Sequence, residues 1–270
     1  MNEGTTGRAR IAAALDGVAR AHDVVVLHAC EAGSRAWGVP DPGSDHDVRF
    51  VFVRRLPGLL AVTPPRDVIE RDAGGGVDLV GWDLRKALSL ALRGKPDTGE
   101  WARSPVVHLD RDGFGGRLRV LLDRVVPLPV LAHGHAFLAG RLVRRLSRPV
   151  EVPLKRVLHP VRAVMVAERM VADGFSSHPP VDIPTLLDGV SWPHRIVAEV
   201  RRMVDDKVEG RLGTGVPPAS ILGFLEERAT SLEARTSATK PPTGAAHPVA
   251  DGFVADEWCR AVGHGGSPPT

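Results

Sequence analysis

The segment from Gly33 to Asp47, GSRAWGVPDPGSDHD, constrains this chain more than any other stretch. A Gly-Ser pair lies eleven residues ahead of two carboxylates, Asp45 and Asp47, which are followed by the apolar run VRFVFV. Because side chains two residues apart on a β-strand project from the same face, these carboxylates would point together. Two like charges at that spacing are costly unless a cation lies between them. The segment therefore predicts a strand that begins at a cation site.

The donor atoms indicate which cation this would be. A few carboxylate oxygens suit Mg²⁺, which keeps part of its water shell and takes further ligands from substrate phosphates. Gly33 and Ser34 would form the turn between a strand at residues 24–29 and a short helix, where backbone N–H groups bind phosphate. The pattern predicts chemistry on a nucleoside triphosphate. The alternative is an ordinary strand-to-helix turn followed by a polar strand end, with Asp45 in an Asx-type turn.

A third carboxylate supports the metal interpretation. Asp78 lies in VDLV, a predicted strand at residues 77–80, with apolar neighbours on both sides. An isolated buried carboxylate is expensive, and a neighbouring strand that placed Asp78 beside Asp45 and Asp47 would remove that cost. Three carboxylates can hold two Mg²⁺ ions, with Mn²⁺ as a substitute, for in-line displacement at phosphorus.

The order of these features resembles the nucleotidyltransferases of the DNA polymerase β superfamily. The blocks GSRAWG, SDHDVRFVFVR, DLVGWDLRKAL and EWARSPVVH are similar to a predicted bacterial nucleotidyltransferase family that includes RNA-ligase-associated members. The similarity extends into a helical second half through LKRVLHPVRAVMVAERMV and PPVDIPTLL. The chain departs from the family where Lys95 replaces the usual Asn and His108 the usual Tyr.

The resemblance implies a role for each site residue. Asp45 and Asp47 would bind both metal ions, and Asp78 would complete one site and accept the proton of the attacking hydroxyl. Gly33 and Ser34 would hold the β- and γ-phosphates. Three further cations are candidates for nucleotide contacts: Arg35, Lys155 and Arg162. The alternatives are that Arg35 pairs with Glu31 or solvent, and that Lys155 and Arg162 lie on a solvated helix face.

The acceptor of the transferred nucleotide is less constrained than the metal site. Residues 117–169 hold eleven Lys or Arg and three Asp or Glu, so a locally basic region accompanies a chain of net charge +3. Such a region suits a polyanion, and an RNA end is the expected acceptor. AMP transfer onto a protein, transfer onto a small molecule such as an aminoglycoside, and a non-catalytic nucleotide- or RNA-binding module are the alternatives.

The pattern of apolar residues predicts an α+β fold. A nucleotidyltransferase core with a small mixed sheet would occupy residues 1–112, and an all-helical domain that closes over the nucleotide would occupy residues 113–232. Residues 233–270, which contain TSATKPPTGAAHPV and GHGGSPPT, are expected to be a disordered tail. The chain shows neither a membrane-spanning apolar run nor an apolar leader, so a cytoplasmic location is expected.

Overall fold

A five-stranded mixed sheet forms the N-terminal half of the protein. The computed structural model describes residues 3–148, 150–242 and 244–263. The strands run in the order β3-β4-β2-β1-β5, with β2 and β4 parallel and the other pairs antiparallel. Their bounds are β1 (Val24–Glu31), β2 (His46–Arg54), β3 (Val68–Asp72), β4 (Val77–Asp83) and β5 (Val107–Asp110).

Helices cover both faces of this sheet. The first-half helices are α1 (Glu3–His22), α2 (Gly33–Ala36), α3 (Leu56–Leu59), α4 (Leu84–Leu92) and α5 (Asp97–Ala102). The side chain of Asp83 caps α4 by accepting from the backbone N–H of Arg85 at 2.9 Å, and Gly94 follows the helix with φ +78°. A capping Asp at the N-terminus and a glycine just past the C-terminus are favourable signals for such a helix.

The second half is helical. Its helices are α6 (Phe114–Val125), α7 (Leu128–Leu146), α8 (Leu158–Ala172), α9 (Ile183–Asp188), α10 (His194–Val208) and α11 (Ala219–Thr236), with a two-residue ladder between β6 (Val152–Pro153) and β7 (Thr214–Gly215). The predicted α+β fold with a small mixed sheet and a helical second half is confirmed. One apolar core joins Leu27 and Val51 of the sheet to Leu118 and Val164 of the helices. A domain boundary at residue 112 therefore stays a prediction.

A twelfth helix corrects the expected disordered tail. Residues Ala246–Val262 form α12, which packs on α4, α6 and β1. Arg117 of α6 donates to both carboxylate oxygens of the buried Glu257, at 2.6 and 2.7 Å, and Trp258 Nε1 donates to the carbonyl of Arg54 at 2.7 Å. The sequence pattern does not predict this helix, because only a few of its apolar and charged residues contact the rest of the protein. The surrounding sequence is also rich in Pro, Gly and Thr. Residues 233–236 of the expected tail also belong to a helix, the end of α11, and residues 264–270 lie outside the described residues.

A buried polar cluster joins α5 to α7 and α8. Glu100 accepts from Arg162 Nη1 at 2.7 Å, and Nε2 of His135 lies 3.8 Å from the same carboxylate oxygen. Burial lowers the pKa of His135 to about 4; the Glu100 charge opposes the shift and the Arg162 charge adds to it. His135 is therefore neutral in the folded protein at neutral pH.

None of the helices within the described residues is long and apolar enough to span a membrane.

The docking of α12 can be tested at Glu257. We expect Glu257→Gln to lower the free energy of unfolding by about 1–2 kcal/mol, because the buried acceptor of Arg117 loses its charge. Asp256→Asn is the matched control, since Asp256 is exposed on the same helix, and a change below about 0.5 kcal/mol is expected there. Chemical denaturation of both variants measures the difference; equal effects would contradict a docked α12.

The buried His135 predicts a pH dependence of stability. The unfolded chain takes up a proton at His135 below an ordinary pKa of 6.5, whereas the folded protein does so only near pH 4. Stability is thus lost as the pH falls between these values, by about 2 kcal/mol from this group between pH 6.5 and 5. His135→Gln should remove that share of the loss, and His247→Gln, at an exposed histidine, should not. If the free energy of unfolding of wild type and of His135→Gln fell in parallel with pH across this range, the assignment would be refuted.

Candidate active site

Asp47 and Asp78 lie side by side on the two parallel strands of the sheet. They are paired directly in the β2–β4 register, and Arg49 donates to each carboxylate at 3.1 Å. Burial raises the pKa of Asp47; the Arg49 charge opposes this shift and the Asp78 charge adds to it. The sheet thus gathers two like charges at one point and balances them with one guanidinium group.

Gly33 sits directly against this pair. Its φ is +57°, and a Cβ at this position would lie 2.3 Å from Asp47 Oδ2. The neighbouring Ala32 N–H donates to the Asp47 carbonyl at 2.8 Å, which fixes the turn against the start of β2. Only glycine allows the turn to approach the carboxylate so closely, both for its conformation and for lack of a side chain. The predicted Gly-Ser turn therefore lies directly against Asp47 and its strand neighbour Asp78.

Asp45 and Arg35 lie at the edge of this arrangement. Asp45 immediately precedes β2 and is exposed; a Cβ on Gly76 would lie 2.9 Å from its Oδ1. Arg35 donates through Nη2 to the carbonyl of Ser44 at 2.7 Å and through Nε to that of Asp45 at 3.3 Å. Arg35 thus supports the loop that carries Asp45, whatever other contacts it makes.

A cleft of about 370 Å³ opens beside the carboxylates. The rings of Trp82 and Trp101 lie 4.3 Å apart between centroids, and the ring of Trp37 lies 4.7 Å from that of His159. Trp101 is buried as core packing requires, whereas Trp82 is half-buried. The cleft offers aromatic surface next to charged groups, with Gly33, Asp47, Arg49 and the three tryptophans among its lining residues.

The two cations predicted from the helical half occupy different environments. Arg162 is 4% exposed, donates to Glu100 and, at 2.8 Å, to the carbonyl of Val181, and its Cζ lies 5.1 Å from the centre of the Trp37 ring. Lys155 is exposed. His159 keeps an exposed surface, but partial desolvation against the cleft lowers its pKa, and the charges of Arg162 and Lys155 lower it further. Arg162 therefore lies behind the cleft wall and holds the lining residues Glu100 and Trp37, while Lys155 is exposed and close enough for its charge to act on His159.

The helical half also holds the loop that leads into β2. Lys207 of α10 is buried and pairs with Asp41, with a further hydrogen bond to Ser44 Oγ at 3.1 Å. The hydrogen bond that Lys207 donates to Asp41 lowers the pKa of that carboxylate. The backbone N–H of Ile183 donates to the carbonyl of Trp37 at 2.9 Å. Both ends of the loop between the Gly-Ser turn and the carboxylates are thereby anchored to helices far away in the sequence.

Sequence reasoning missed several residues of this region. Arg49 could have been found, because it lies two residues beyond Asp47 and so shares its strand face. Trp37 and Glu100 gave no such signal, since their contacts come from distant parts of the chain. A second group of metal-type ligands, Glu31, His46 and His108, was also missed, because its members come from three strands.

Proteins similar to this chain are found among protein families, curated proteins and solved structures. Residues 8–256 match the model of the RNA repair pathway DNA polymerase beta family, RlaP. The chain is 28% identical over 201 residues to the uncharacterized protein YcgL of Bacillus subtilis (strain 168), covering 74% of this chain and 76% of that protein. A crystal structure of a nucleotidyltransferase-like protein from Exiguobacterium sibiricum 255-15 is matched over 94% of this chain and 91% of that one, at 14% identity and a TM-score of 0.32.

The family match spans nearly the whole described chain and includes the Gly-Ser turn, both strands of the Asp47–Asp78 pair and the helices that hold them. The protein therefore belongs to the RNA repair pathway DNA polymerase beta family, a group of polymerase-β-type nucleotidyltransferases.

Proposed function

We propose that this protein transfers a nucleoside monophosphate from a nucleoside triphosphate to the 3′-hydroxyl of an RNA end, with release of pyrophosphate. The observation that carries the proposal is the pairing of Asp47 with Asp78 directly against Gly33, beside an aromatic-lined cleft. A nucleotide needs this combination: charge compensation at the phosphates, a close backbone approach and an apolar surface for the base.

The residues present fit Mg²⁺, with Mn²⁺ as a substitute. Asp47 and Asp78 offer only oxygen donors, are half-exposed and already share a cationic neighbour, so a second cation suits their charge. Asp45 would be the further carboxylate for a two-ion centre. When bound, the ions neutralise phosphate charge and lower the pKa of the attacking hydroxyl.

The chain's own groups would position the triphosphate. Gly33 and Ser34 would hold the β- and γ-phosphates through the turn, and Arg35 would keep the Asp45 loop in place through its bonds to the Ser44 and Asp45 carbonyls. Lys155 would reach the phosphates or the RNA strand from the cleft opening. Arg162 would act mainly by fixing Trp37, because its guanidinium is already bound to Glu100.

The transfer step then needs little covalent chemistry from the protein. The RNA 3′-hydroxyl oxygen forms a bond to the α-phosphorus, the bond from that phosphorus to the bridging oxygen breaks, and pyrophosphate leaves. Asp78 accepts the hydroxyl proton. Positioning of the two reactants and charge stabilisation around the phosphates would supply most of the rate.

RNA is favoured as the acceptor by two independent facts. The family belongs to an RNA repair pathway, and residues 117–169 carry a large excess of Lys and Arg. A cytoplasmic location is part of this proposal.

One labelling experiment tests the acceptor. Purified protein is incubated with Mg²⁺ and each α-³²P-labelled triphosphate, with RNA that ends in a 3′-hydroxyl or in a 3′-phosphate. Label on the 3′-hydroxyl RNA alone is expected. Label on the protein would instead indicate AMP-type transfer, and nucleotide-dependent RNA binding without label would indicate a binding module; either result would overturn the proposal.

Removing one paired carboxylate should abolish transfer without unfolding the protein. We expect Asp47→Asn to reduce the rate by at least about 10³-fold, because the charge that binds the metal is lost. Its stability should be unchanged or higher, since repulsion with Asp78 is relieved. Asp16→Asn removes an exposed carboxylate of α1 and should retain full activity. A near-normal rate in Asp47→Asn would refute the site assignment.

The close approach of the turn can be tested separately. The methyl group of alanine in Gly33→Ala would collide with Asp47, and the alanine itself would have to adopt a positive φ. We expect a loss of transfer of about 10²-fold, while Gly213→Ala, where a Cβ meets no atom within 4 Å, should have no effect. The two variants are compared in single-turnover assays with saturating triphosphate.

A further inference from the structure

Three metal-type ligands converge at one end of strands β1, β2 and β5. Nδ1 of His46 lies 2.5 Å from Glu31 Oε1, and Nε2 of His108 lies 3.0 Å from the same oxygen. One ligand atom from each residue lies within 4.8 Å of the other two. Two imidazoles and one carboxylate are thus arranged around a common point.

Hydrogen bonds within the cluster leave polar atoms unsatisfied. Glu31 is 1% exposed, and its second carboxylate oxygen, Oε2, is buried without a hydrogen-bond partner among the described residues. Nδ1 of His108 is likewise buried and unpartnered in that part of the chain. Such atoms are rare in folded proteins and require an explanation. A cation that binds both carboxylate oxygens would provide a partner for Oε2.

This cluster shares no ligand with the Asp47–Asp78 pair, although Glu31 also borders the cleft that Asp47 lines. His46 and Asp47 are successive residues of β2, so their side chains leave opposite faces of the sheet. The first turns of α1 lie over the His46 face, where a Cβ on Gly7 would be 3.2 Å from His46 Nε2. The pairing of β1 with β5 shifts register between Ala29 and Cys30, next to Glu31, and such bulges commonly redirect side chains.

We propose that Glu31, His46 and His108 bind a transition-metal ion of the Zn²⁺ class, distinct from the Mg²⁺ of the transfer reaction. Two neutral imidazole nitrogens with one carboxylate form a donor set typical of Zn²⁺ and of Fe²⁺, with remaining positions filled by water. Mg²⁺ prefers oxygen donors, so the two centres would select different ions. The ion would fasten three strand ends together beside the turn that carries Gly33.

Co²⁺ is a suitable probe because its visible absorption reports nitrogen ligands and coordination geometry. The full-length protein is stripped with chelator and titrated with Co²⁺ in the presence of excess Mg²⁺. We expect one equivalent to bind, Zn²⁺ to displace it and Mg²⁺ not to do so. His108→Gln should weaken binding by at least about 100-fold, beyond the 10–100-fold typical of losing an outer-shell partner.

Further variants separate this site from the active centre and from surface histidines. Asp47→Asn and His247→Gln should bind Co²⁺ like the wild type. Thermal melts check folding, and Glu31→Gln, which keeps the size of the side chain, serves as the second ligand variant if His108→Gln is unstable. Absence of saturable binding in the wild type, wild-type affinity in the folded ligand variants, or loss of binding in Asp47→Asn would each overturn the proposal. Nucleotide transfer is not measured, so failure of the proposed function would leave this result unaffected.

Discussion

The parallel pairing of β2 with β4 is the constraint on which the candidate site depends. It sets Asp47 opposite Asp78, and its register is fixed three residues further along, where Phe50 pairs with Gly81. A Cβ on Gly81 would lie 2.1 Å from the Phe50 ring, so the ring fills the space that any other residue would need. A shift by one residue would remove this fit and turn Asp78 to the other face. The packing of an aromatic ring on a glycine thus positions two carboxylates that would otherwise repel each other.

The charges at the site are held in balance by neighbours from both halves of the chain. Arg49 compensates Asp47 from within β2 and Asp78 across the pairing with β4. Lys207 compensates Asp41 from α10, and Arg162 compensates Glu100 from α8. The latter two cations are each 4% exposed, so their pairs hold the loop and the cleft wall more rigidly than exposed ion pairs could. Rigidity of this kind is what a reaction driven by positioning needs.

The sequence predicts local features of this structure better than distant ones. The Gly-Ser turn and the strand after Asp45 each depend on neighbouring residues, and the structure confirms both elements. The pairing of Asp47 with Asp78 could be anticipated only as a way to relieve a buried charge. The burial of Arg162 could not be anticipated, because a helix pattern does not show that a carboxylate from α5 will meet it. The docking of α12 was missed for the same reason, since its partners Arg117 and Arg54 lie far away in sequence.

Strand β2 carries chemistry on both of its faces. Asp47 and Arg49 face the cleft, whereas His46 and Val48 face α1. Because side chains alternate along a strand, residues of the two sets are direct neighbours in the sequence. Glu31, at the end of β1, contacts His46, and its charge raises the pKa of Asp47 across the strand. A cation bound by Glu31 would reduce that repulsion at Asp47 while holding β1, β2 and β5 in their present register. The transfer site and the Glu31 cluster therefore lie on opposite faces of one strand, share no ligand and influence each other through charge alone.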